Sequence, residues 1–330
     1  MPWSEPPVIP VAWLLFLLGL PLAGLLLVRA GSPRRGLTEP QLALLLLLPA
    51  ALGVFLFYYY QIGQTALYSL HNLRNSTDWS RDTFVGLDNY AAAWRNPNFL
   101  SALGYTLYFT VVAVFLEFCI GLGLALVTYR VGRGASLWLR SVIIIPWAIP
   151  PIISAAIWKW LLNADVGAGY FLARWGLVDA PPLFLAQPWL AMHAVILADV
   201  WKMSSMMAIL MIGGLAVIPQ DIYDAARVDG ARAFFRFRRI TLPLLSPTIL
   251  VALLFRSMDA LRTFDLVYGL TNGGPGTTTE TLSLLAYKYY FSRARFGEGS
   301  AYGIIVFVLV LLLSLLYLRL MRRQLRFTQS

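Results

Sequence analysis

Long apolar runs constrain this chain more than any other feature of its sequence. Six runs of about 20 residues each are long enough to cross the ~30 Å hydrocarbon layer as helices. The predicted spans lie near residues 41–63, 103–128, 141–162, 189–217, 244–266 and 300–320. The composition agrees, since 59% of the residues are hydrophobic, only 13% are charged, and the mean hydropathy is +0.68. We therefore expect an all-α, polytopic membrane protein.

A further apolar run near 9–28 is interrupted by Gly19 and Pro21. No Lys or Arg precedes it, so it does not look like a cleaved signal peptide. A spanning helix and a helix lying in the membrane interface both remain open. We predict an N-terminal hydrophobic segment with a cytoplasmic linker at 1–40, followed by one membrane domain at 41–330.

The basic residues are distributed unequally between the two sets of loops. One set holds 15 of the 26 Lys and Arg residues, namely Arg29, Arg34, Arg35, Arg130, Arg133, Arg140, Arg227, Arg232, Arg236, Arg238, Arg239, Arg319, Arg322, Arg323 and Arg326. The opposite set holds seven, namely Arg74, Arg81, Arg95, Arg174, Lys288, Arg293 and Arg295. Cytoplasmic loops carry the excess of positive charge. We therefore predict that the first set of loops, including 219–247 and the C-terminus, is cytoplasmic.

The composition also argues against several other functions. The pI near 9.9 is better explained by arginines at the ends of spans, beside anionic lipid headgroups, than by nucleic-acid binding. The single cysteine, Cys119, lies within a predicted span, and His71 and His193 are the only histidines. We therefore expect no nucleic-acid partner, no disulfide framework, and neither a metal site nor a cofactor in this chain.

The polar loop at 219–247 contains a predicted short helix. Asp221 to Ala226 form a helical pattern with an acid in the first turn, and Gly230 stands where a helix end needs positive φ. A helix of roughly ten residues is marginal alone in water, so we expect it to dock on another surface.

The same loop carries a family resemblance. Asp224-Ala225-Ala226-x-x-Asp229-Gly230-Ala231, followed by Leu242-Pro243 and Pro247, resembles the EAA loop of ABC-importer permeases. In that family the loop forms a coupling helix that sits in a groove of the cytoplasmic ATPase. Asp224 stands where the family usually has Glu, which shortens the side chain by one methylene and keeps its charge. The resemblance implies a coupling role for Asp224, Ala225, Ala226, Asp229, Gly230 and Ala231.

Two segments outside the predicted spans also resemble sugar permeases of this family. Residues 84–90, Phe-Val-Gly-Leu-Asp-Asn-Tyr, precede a predicted short helix from Asp88 to Trp94 that we expect to be capped at its start. Residues 271–280 begin Thr-Asn-Gly-Gly-Pro-Gly, which predicts a sharp turn. This segment is either an ordinary surface turn or a contact for a docked binding protein.

Prolines and charged residues within the spans indicate a pathway. Pro146, Pro150 and Pro151 predict that the span at 141–162 kinks or unwinds, which would make it a wall of the pathway. The ionisable residues in the spans are Glu117, Asp199, Lys202, Arg256, Asp259, Arg262 and Asp265. These residues either neutralise one another as structural ion pairs or line a hydrated cavity. Helical spacing places Arg256, Asp259 and Thr263 on one face.

The resemblance to sugar permeases implies substrate contacts in the middle of two core helices. The matching positions are Trp201, Lys202, Ser205, Asp259, Arg262 and Thr263. Sugars need many hydroxyl partners and an aromatic platform, and carboxylates, guanidinium groups and Trp supply both.

We interpret the chain as a permease subunit of a binding-protein-dependent ABC importer, with the type I transmembrane fold of about six core helices and an extra N-terminal hydrophobic segment. The substrate class is a di- or oligosaccharide, or alternatively a sugar alcohol or glycerol phosphate. None of Lys159, Lys202 and Lys288 follows a glycine, so the Walker A pattern is absent and the chain is not itself an enzyme. The resemblance implies a second homologous permease, two ATPase subunits that bind ATP and Mg²⁺, and an extracytoplasmic substrate-binding protein, all at a bacterial cytoplasmic membrane.

Two other classes remain open at the level of sequence. An ion-coupled secondary transporter would use Glu117, Asp259 and Lys202 as coupling groups, but such proteins usually show internal repeats. Flux that survives ATP depletion and collapses with an uncoupler would favour it. A membrane enzyme would need a nucleophile–base pair or a metal motif, and no HExxH sequence is present.

Overall fold

The computed structural model describes residues 39–74 and 83–327. The apolar run at 9–28 lies outside these residues, and the boundary between 40 and 41 stays a prediction. The packing divides the chain into two units, one ending at Tyr68 and the other beginning at Ser69, which are described separately.

The described part of the first unit is a single run of helix, whose last residue, Ser69, is the first residue of the second unit. Helix α1 spans Glu39–Val54, a π-helical turn spans Phe55–Tyr59, and α2 spans Tyr60–Ser69. Its apolar part, Leu46–Ser69, is long enough to cross a membrane. The predicted span at 41–63 is therefore helical and continues to Ser69.

The described part of the second unit consists of helices and turns, with no strand beyond two isolated bridges. Its helices are α3 Asp88–Arg95, α4 Pro97–Arg130, α5 Arg133–Ala148, α6 Pro151–Leu161, α7 Ala168–Arg174, α8 Pro188–Val217, α9 Gln220–Val228, α10 Ala233–Arg236, α11 Leu242–Leu261, α12 Asp265–Leu270, α13 Leu282–Tyr287 and α14 Phe296–Phe327. Two π-helical turns, Phe237–Thr241 and Lys288–Ser292, join α10 to α11 and extend α13.

Five helices across the described residues are long and apolar enough to cross a membrane, and a sixth span exists if α5 and α6 form one broken crossing. The expected all-α architecture of about six core spans is confirmed.

The longest helix, α4, begins six residues before the predicted start of its span. The side chain of Asn96 accepts a hydrogen bond from the Asn98 backbone N–H at 3.0 Å, and Pro97 occupies the first helical position. This cap and proline favour a helix start. Thr106 and Thr110 donate their hydroxyl hydrogens to carbonyls four residues earlier, which satisfies these polar groups inside an apolar layer.

The core of the second unit lies between α4, α8 and α11. Phe109, Met207 and Leu245 are fully buried there. Helices α4 and α8 approach closely at Gly121, where an added Cβ would lie 2.5 Å from the Met207 Cβ. Small residues permit this approach of helix backbones in membranes, where close van der Waals packing drives helix association.

The predicted kink in the span at 141–162 is confirmed as a complete break. Helix α5 ends at Ala148, α6 begins at Pro151, and the two are bent by 92°. Pro150 and Pro151 have no N–H to continue the helical ladder of α5.

The predicted end of the span at 244–266 was wrong, because α11 ends at Leu261. The backbone N–H groups of Arg262 and Thr263 donate to carbonyls only three residues back, which closes a tight last turn. The Thr281 hydroxyl donates to the Thr263 carbonyl at 3.0 Å, so this chain segment is held by another loop. Thr263 therefore does not share a helical face with Arg256 and Asp259.

The segment before α4 contains the predicted helix, as α3, but not the predicted cap. Leu87 is the N-cap residue and makes no side-chain cap, while Asp88 is the first helical residue. Gly86 adopts φ +56°, as a turn there requires. Asn89 is buried and donates to the carbonyls of Ser69 and His71 at 2.8 and 2.9 Å, so it anchors α3 to the preceding chain.

Candidate functional site

A buried ion cluster joins the three core helices. Arg256 of α11 donates from Nε to Glu117 Oε2 at 2.5 Å, and from Nη2 to Glu117 Oε1 at 2.9 Å on α4. The same Nη2 also donates to Asp199 of α8. These three side chains are almost completely buried, at 1%, 0% and 6% exposure. The interpretation as a structural ion pair between helices is confirmed for Glu117 and Arg256, whereas Asp199 both pairs with Arg256 and lines the cavity described below.

The ion pairing continues from the cluster towards solvent. Arg256 Nη1 lies 3.4 Å from Asp259 Oδ2, and Arg262 Nη2 lies 3.6 Å from Asp259 Oδ1. Exposure rises along this chain to 41% at Asp259 and 65% at Arg262. The charges therefore form a graded network that is fully desolvated at one end and accessible at the other.

Lys202 lies at the break between α5 and α6. Its ammonium donates to the backbone carbonyl of Trp147 at 2.9 Å and to that of Ile149, with a longer contact of 3.4 Å to Pro146. The helix break leaves these carbonyls without their usual N–H partners. A cation at a helix C-terminus satisfies the carbonyls and offsets the helix dipole. Lys202 therefore stabilises the broken span.

A cavity of about 290 Å³ opens beside this network. Its lining residues are Pro151, Asp199, Lys202, Met203, Asp259, Arg262, Thr263, Phe264, Asp265 and Leu266. It lies where the start of α6, the middle of α8 and the end of α11 meet. Four of the six predicted substrate positions, Lys202, Asp259, Arg262 and Thr263, line this one cavity.

The other two predicted positions, Trp201 and Ser205, are not among its lining residues. Trp201 packs edge-to-face on Trp158, with ring centroids 5.9 Å apart, and Ser205 is buried. Sequence reasoning missed Met203, Phe264 and Leu266 as lining residues. Helical spacing from Asp199 could have indicated Met203, but the last two required knowledge that α11 ends early.

The predicted short helix in the polar loop is present as α9. It has Asp221 in its first turn and an ion pair between Asp224 and Arg227. Gly230 adopts φ +73°, and the Ala231 N–H donates to the Ala226 carbonyl at 2.9 Å. A glycine in the left-handed conformation just after a helix is a common way to satisfy its last carbonyls.

Helix α9 has one face against the membrane domain and one that is open. The Tyr223 hydroxyl bonds to that of Thr241 at 3.0 Å, and Tyr129 of α4 donates to Gln220 at 3.3 Å. On the remaining surface of α9, Ile222 is 39% exposed and Val228 is 88% exposed. Phe234 and Phe235, just after α9, are also exposed. Clustered exposed apolar side chains mark surfaces that bind a partner.

The turn at 271–280 is held firmly within the second unit. Thr279 donates its hydroxyl hydrogen to the Gly274 carbonyl at 2.8 Å, and Gly273 has φ +85°. Lys288 pairs with the buried Glu280 at 2.6 Å. These contacts support the prediction of a sharp turn, while a role in docking a binding protein stays a prediction.

The described residues contain no group of three or more His, Cys, Asp or Glu side chains placed to hold a metal ion. Apolar spans, a charged cavity at a helix break and a short helix with an open face are the features expected of one class, the transmembrane subunit of a transport system. Residues 117–326 match the family described as the binding-protein-dependent transport system inner membrane component, and the chain belongs to this family.

Curated relatives agree with the family match. The chain is 41% identical over 285 residues to a trehalose/maltose transport system permease protein of Thermococcus litoralis, covering 86% of this chain and 95% of the relative. It is 36% identical over 282 residues to a sulfoquinovosyl glycerol transport system permease protein of Agrobacterium fabrum, covering 85% and 90%.

A solved structure agrees with the fold. It is a bacterial ABC transporter involved in import of the acidic polysaccharide alginate, which matches with a TM-score of 0.74 and 25% identity, covering 84% of this chain and 94% of that one.

The chain is therefore a permease subunit of a binding-protein-dependent ABC importer and a multi-pass protein of the cytoplasmic membrane. It is a transport component and not an enzyme. The resemblance stated from the polar loop is confirmed at the level of the family. Family membership decides against an ion-coupled secondary transporter and a membrane enzyme.

Proposed function

We propose that this permease carries an uncharged di- or oligosaccharide, and that the substrate passes through the cavity beside Lys202 and Asp259. The observation that carries the proposal is that each cation in or beside that cavity already has a hydrogen-bonding or ion-pair partner. The proposed substrate contacts remain Trp201, Lys202, Ser205, Asp259, Arg262 and Thr263, of which Trp201 and Ser205 would need a substrate larger than this cavity or a second conformation.

The cations around the cavity already have partners. Arg256 pairs with Glu117 and Asp199, and Arg262 pairs with Asp259. Lys202 bonds to carbonyls at the helix break. An anionic substrate would need cationic groups free to receive its charge, because a buried unpaired charge is costly. Hydroxyl groups of a neutral sugar can instead bond to the exposed carboxylate and guanidinium edges.

Aromatic rings beside the cavity suit the apolar face of a sugar ring. Phe264 lines the cavity and stacks on Tyr268, with ring centroids 5.3 Å apart. Aromatic faces cover C–H surfaces well. Transport of an acidic glycoside is the second candidate, favoured by the names of the sulfoquinovosyl glycerol and alginate systems, and glycerol phosphate stays the alternative stated from the sequence.

The coupling assignment belongs to the same proposal. The open face of α9 and its C-terminal turn would dock on an ATPase subunit, with Asp224, Ala225, Ala226, Asp229, Gly230 and Ala231 forming the contact and its geometry. The family resemblance supports a second homologous permease, two ATPase subunits that hold ATP and Mg²⁺, and an extracytoplasmic substrate-binding protein. The basic loops and the C-terminus then face the cytoplasm.

Movement of α9 has a direct route to the transmembrane helices. Tyr223 bonds to Thr241, which precedes α11, and α11 carries Arg256 into the buried cluster. ATP-driven displacement of α9 would therefore act on the helix that lines the cavity. Coupling of this kind requires two global states that ATP and the loaded binding protein bias differently.

The test is ligand-stimulated ATPase activity of the reconstituted importer with its binding protein. Neutral disaccharides such as trehalose and maltose should stimulate hydrolysis, whereas glycerol phosphate and acidic oligosaccharides should not. Stimulation by an acidic compound alone would overturn the neutral-sugar assignment. Sugar uptake into the reconstituted vesicles that continues without ATP would overturn the coupling assignment.

A further inference from the structure

A second cavity lies on the side of α9 that faces the membrane domain. It is at the ends of the spans that are joined to the arginine-rich loops. Its volume is about 360 Å³, and we call it the basic pocket. It is bounded by the last turns of α4 and α8, by the inner face of α9, and by the chain from α10 into the following π-helical turn. The open face of α9 points elsewhere, so the pocket is distinct from the proposed docking surface for the ATPase.

Three arginines line the basic pocket, namely Arg130, Arg227 and Arg236. Arg227 is paired with Asp224. Within the part of the chain that the structure describes, Arg130 and Arg236 form no salt bridge and no side-chain hydrogen bond, although Arg236 is half-buried. Two cations without an acidic partner at one concave site are complementary to an anion.

The pocket also supplies neutral hydrogen-bonding groups and an apolar wall. Tyr129, Tyr223 and Thr241 contribute hydroxyl groups, which bond to Gln220 and to each other in this structure and would exchange those bonds for a ligand. Leu126, Leu215 and Phe237 line it on the apolar side. A free inorganic anion gains nothing from an apolar wall, whereas a ligand with a phosphate at one end and hydrocarbon at the other uses both parts.

The position of the pocket favours a ligand from the membrane. It lies where α4 and α8 end, which is the level expected for lipid headgroups at the end of an apolar span. Arg130 is exposed and follows the outward-facing Val127, which is 56% exposed. We propose that the basic pocket binds the phosphate headgroup of an anionic phospholipid, with Arg130 and Arg236 as its main ligands. Basic pockets between membrane helices are suited to such headgroups.

The proposal is tested on the purified full chain in a neutral detergent by native mass spectrometry. Phosphatidylglycerol, phosphatidylcholine and inorganic phosphate are each added separately. We expect a one-to-one adduct with phosphatidylglycerol and much less of the other two. The double substitution Arg130→Gln with Arg236→Gln should weaken phosphatidylglycerol binding by about tenfold or more, because charge-assisted hydrogen bonds are lost.

Two variants make the result specific. Arg238→Gln with Arg239→Gln removes two exposed arginines that do not line the pocket, and should leave binding unchanged. Arg130→Lys with Arg236→Lys keeps both charges and should retain most of the binding, which separates loss of charge from misfolding. Equal binding of both lipids, equal losses in both Gln variants, or capture of inorganic phosphate alone would overturn the proposal. Loss of phosphatidylglycerol binding on addition of an ATPase subunit would also overturn the proposal, because a protein side chain would then occupy the pocket.

Discussion

At the scale of single residues, Arg256 is the central structural group of the described core. Its guanidinium group bonds to carboxylates on two other helices while only 1% of its side chain is exposed. Arginine suits this position because its planar fork presents several fixed donors and stays charged. The ion cluster therefore orients α4, α8 and α11 relative to one another, rather than only compensating charge.

Replacement of Arg256 by Met should destabilise the protein strongly. Glu117 and Asp199 would remain buried without their cation, and breaking a buried pair on one side costs about 3–5 kcal/mol. Thermal unfolding of the purified chain in detergent measures the loss. Arg262→Met is the matched control, because that side chain is 65% exposed and its pair contributes at most about 1 kcal/mol. Equal melting temperatures for the two variants would show that the cluster does not hold the helices together.

Residue-level prediction from the sequence had a clear limit. The presence of charges within spans indicated a network, but Arg256 and Glu117 are 139 positions apart and only the fold pairs them. Helical phase explains why Trp201 and Ser205 do not line the cavity. Asp199, Lys202 and Met203 follow i, i+3, i+4 spacing and share one face, whereas Trp201 and Ser205 share another.

At the scale of elements, the sequence predicted that a helix is present more accurately than it predicted the residue at which that helix ends. Apolar runs located every described span, and consecutive prolines located the break between α5 and α6. The end of α11 at Leu261 could not be foreseen, because a contact from Thr281 to the Thr263 carbonyl fixes it. Helix α9 was predictable since acids in its first turn and a glycine after its end are local signals.

Gly230→Val tests the terminal geometry of α9. Space around Gly230 is open, with nothing within 4 Å of an added Cβ, so the variant should fold. Its φ of +73° instead imposes a backbone cost on a side-chain-bearing residue of about 1–2 kcal/mol. We expect α9 to reorient and the affinity for the ATPase subunit to fall by about tenfold, which corresponds to 1.4 kcal/mol. Pull-down from co-expressing cells measures the association.

Gly230→Asn is the control for this experiment, because Asn tolerates the left-handed conformation better than other residues with a side chain. It should associate with the ATPase nearly as well as the original chain. If the Val and Asn variants behave alike, the conformation at Gly230 does not set the docking geometry.

At the scale of the whole molecule, the distribution of positive charge and the position of α9 lead to the same orientation. The topology predicted from the sequence assigns fifteen basic residues to loops on the side of α9 and seven to the other side. The positive-inside bias arises when the loops are inserted into the membrane. The coupling resemblance instead requires that an ATPase subunit can reach α9. Since these arguments are independent, their agreement supports the proposal that α9, the basic pocket and the C-terminus face the cytoplasm.

Cysteine labelling tests this orientation directly. Cys119 is first replaced by Ser, which removes the single native thiol. Val228→Cys then places a thiol on the open face of α9, where the side chain is 88% exposed, and Thr277→Cys places one in the exposed turn at the opposite end. In intact spheroplasts a membrane-impermeant maleimide should modify the Thr277→Cys chain and leave the Val228→Cys chain unmodified. In inside-out vesicles the pattern should reverse, and co-expression of the ATPase subunits should protect Val228→Cys, because the docked partner covers that face. Modification of Val228→Cys in intact spheroplasts would invert the topology and remove the physical basis for coupling through α9.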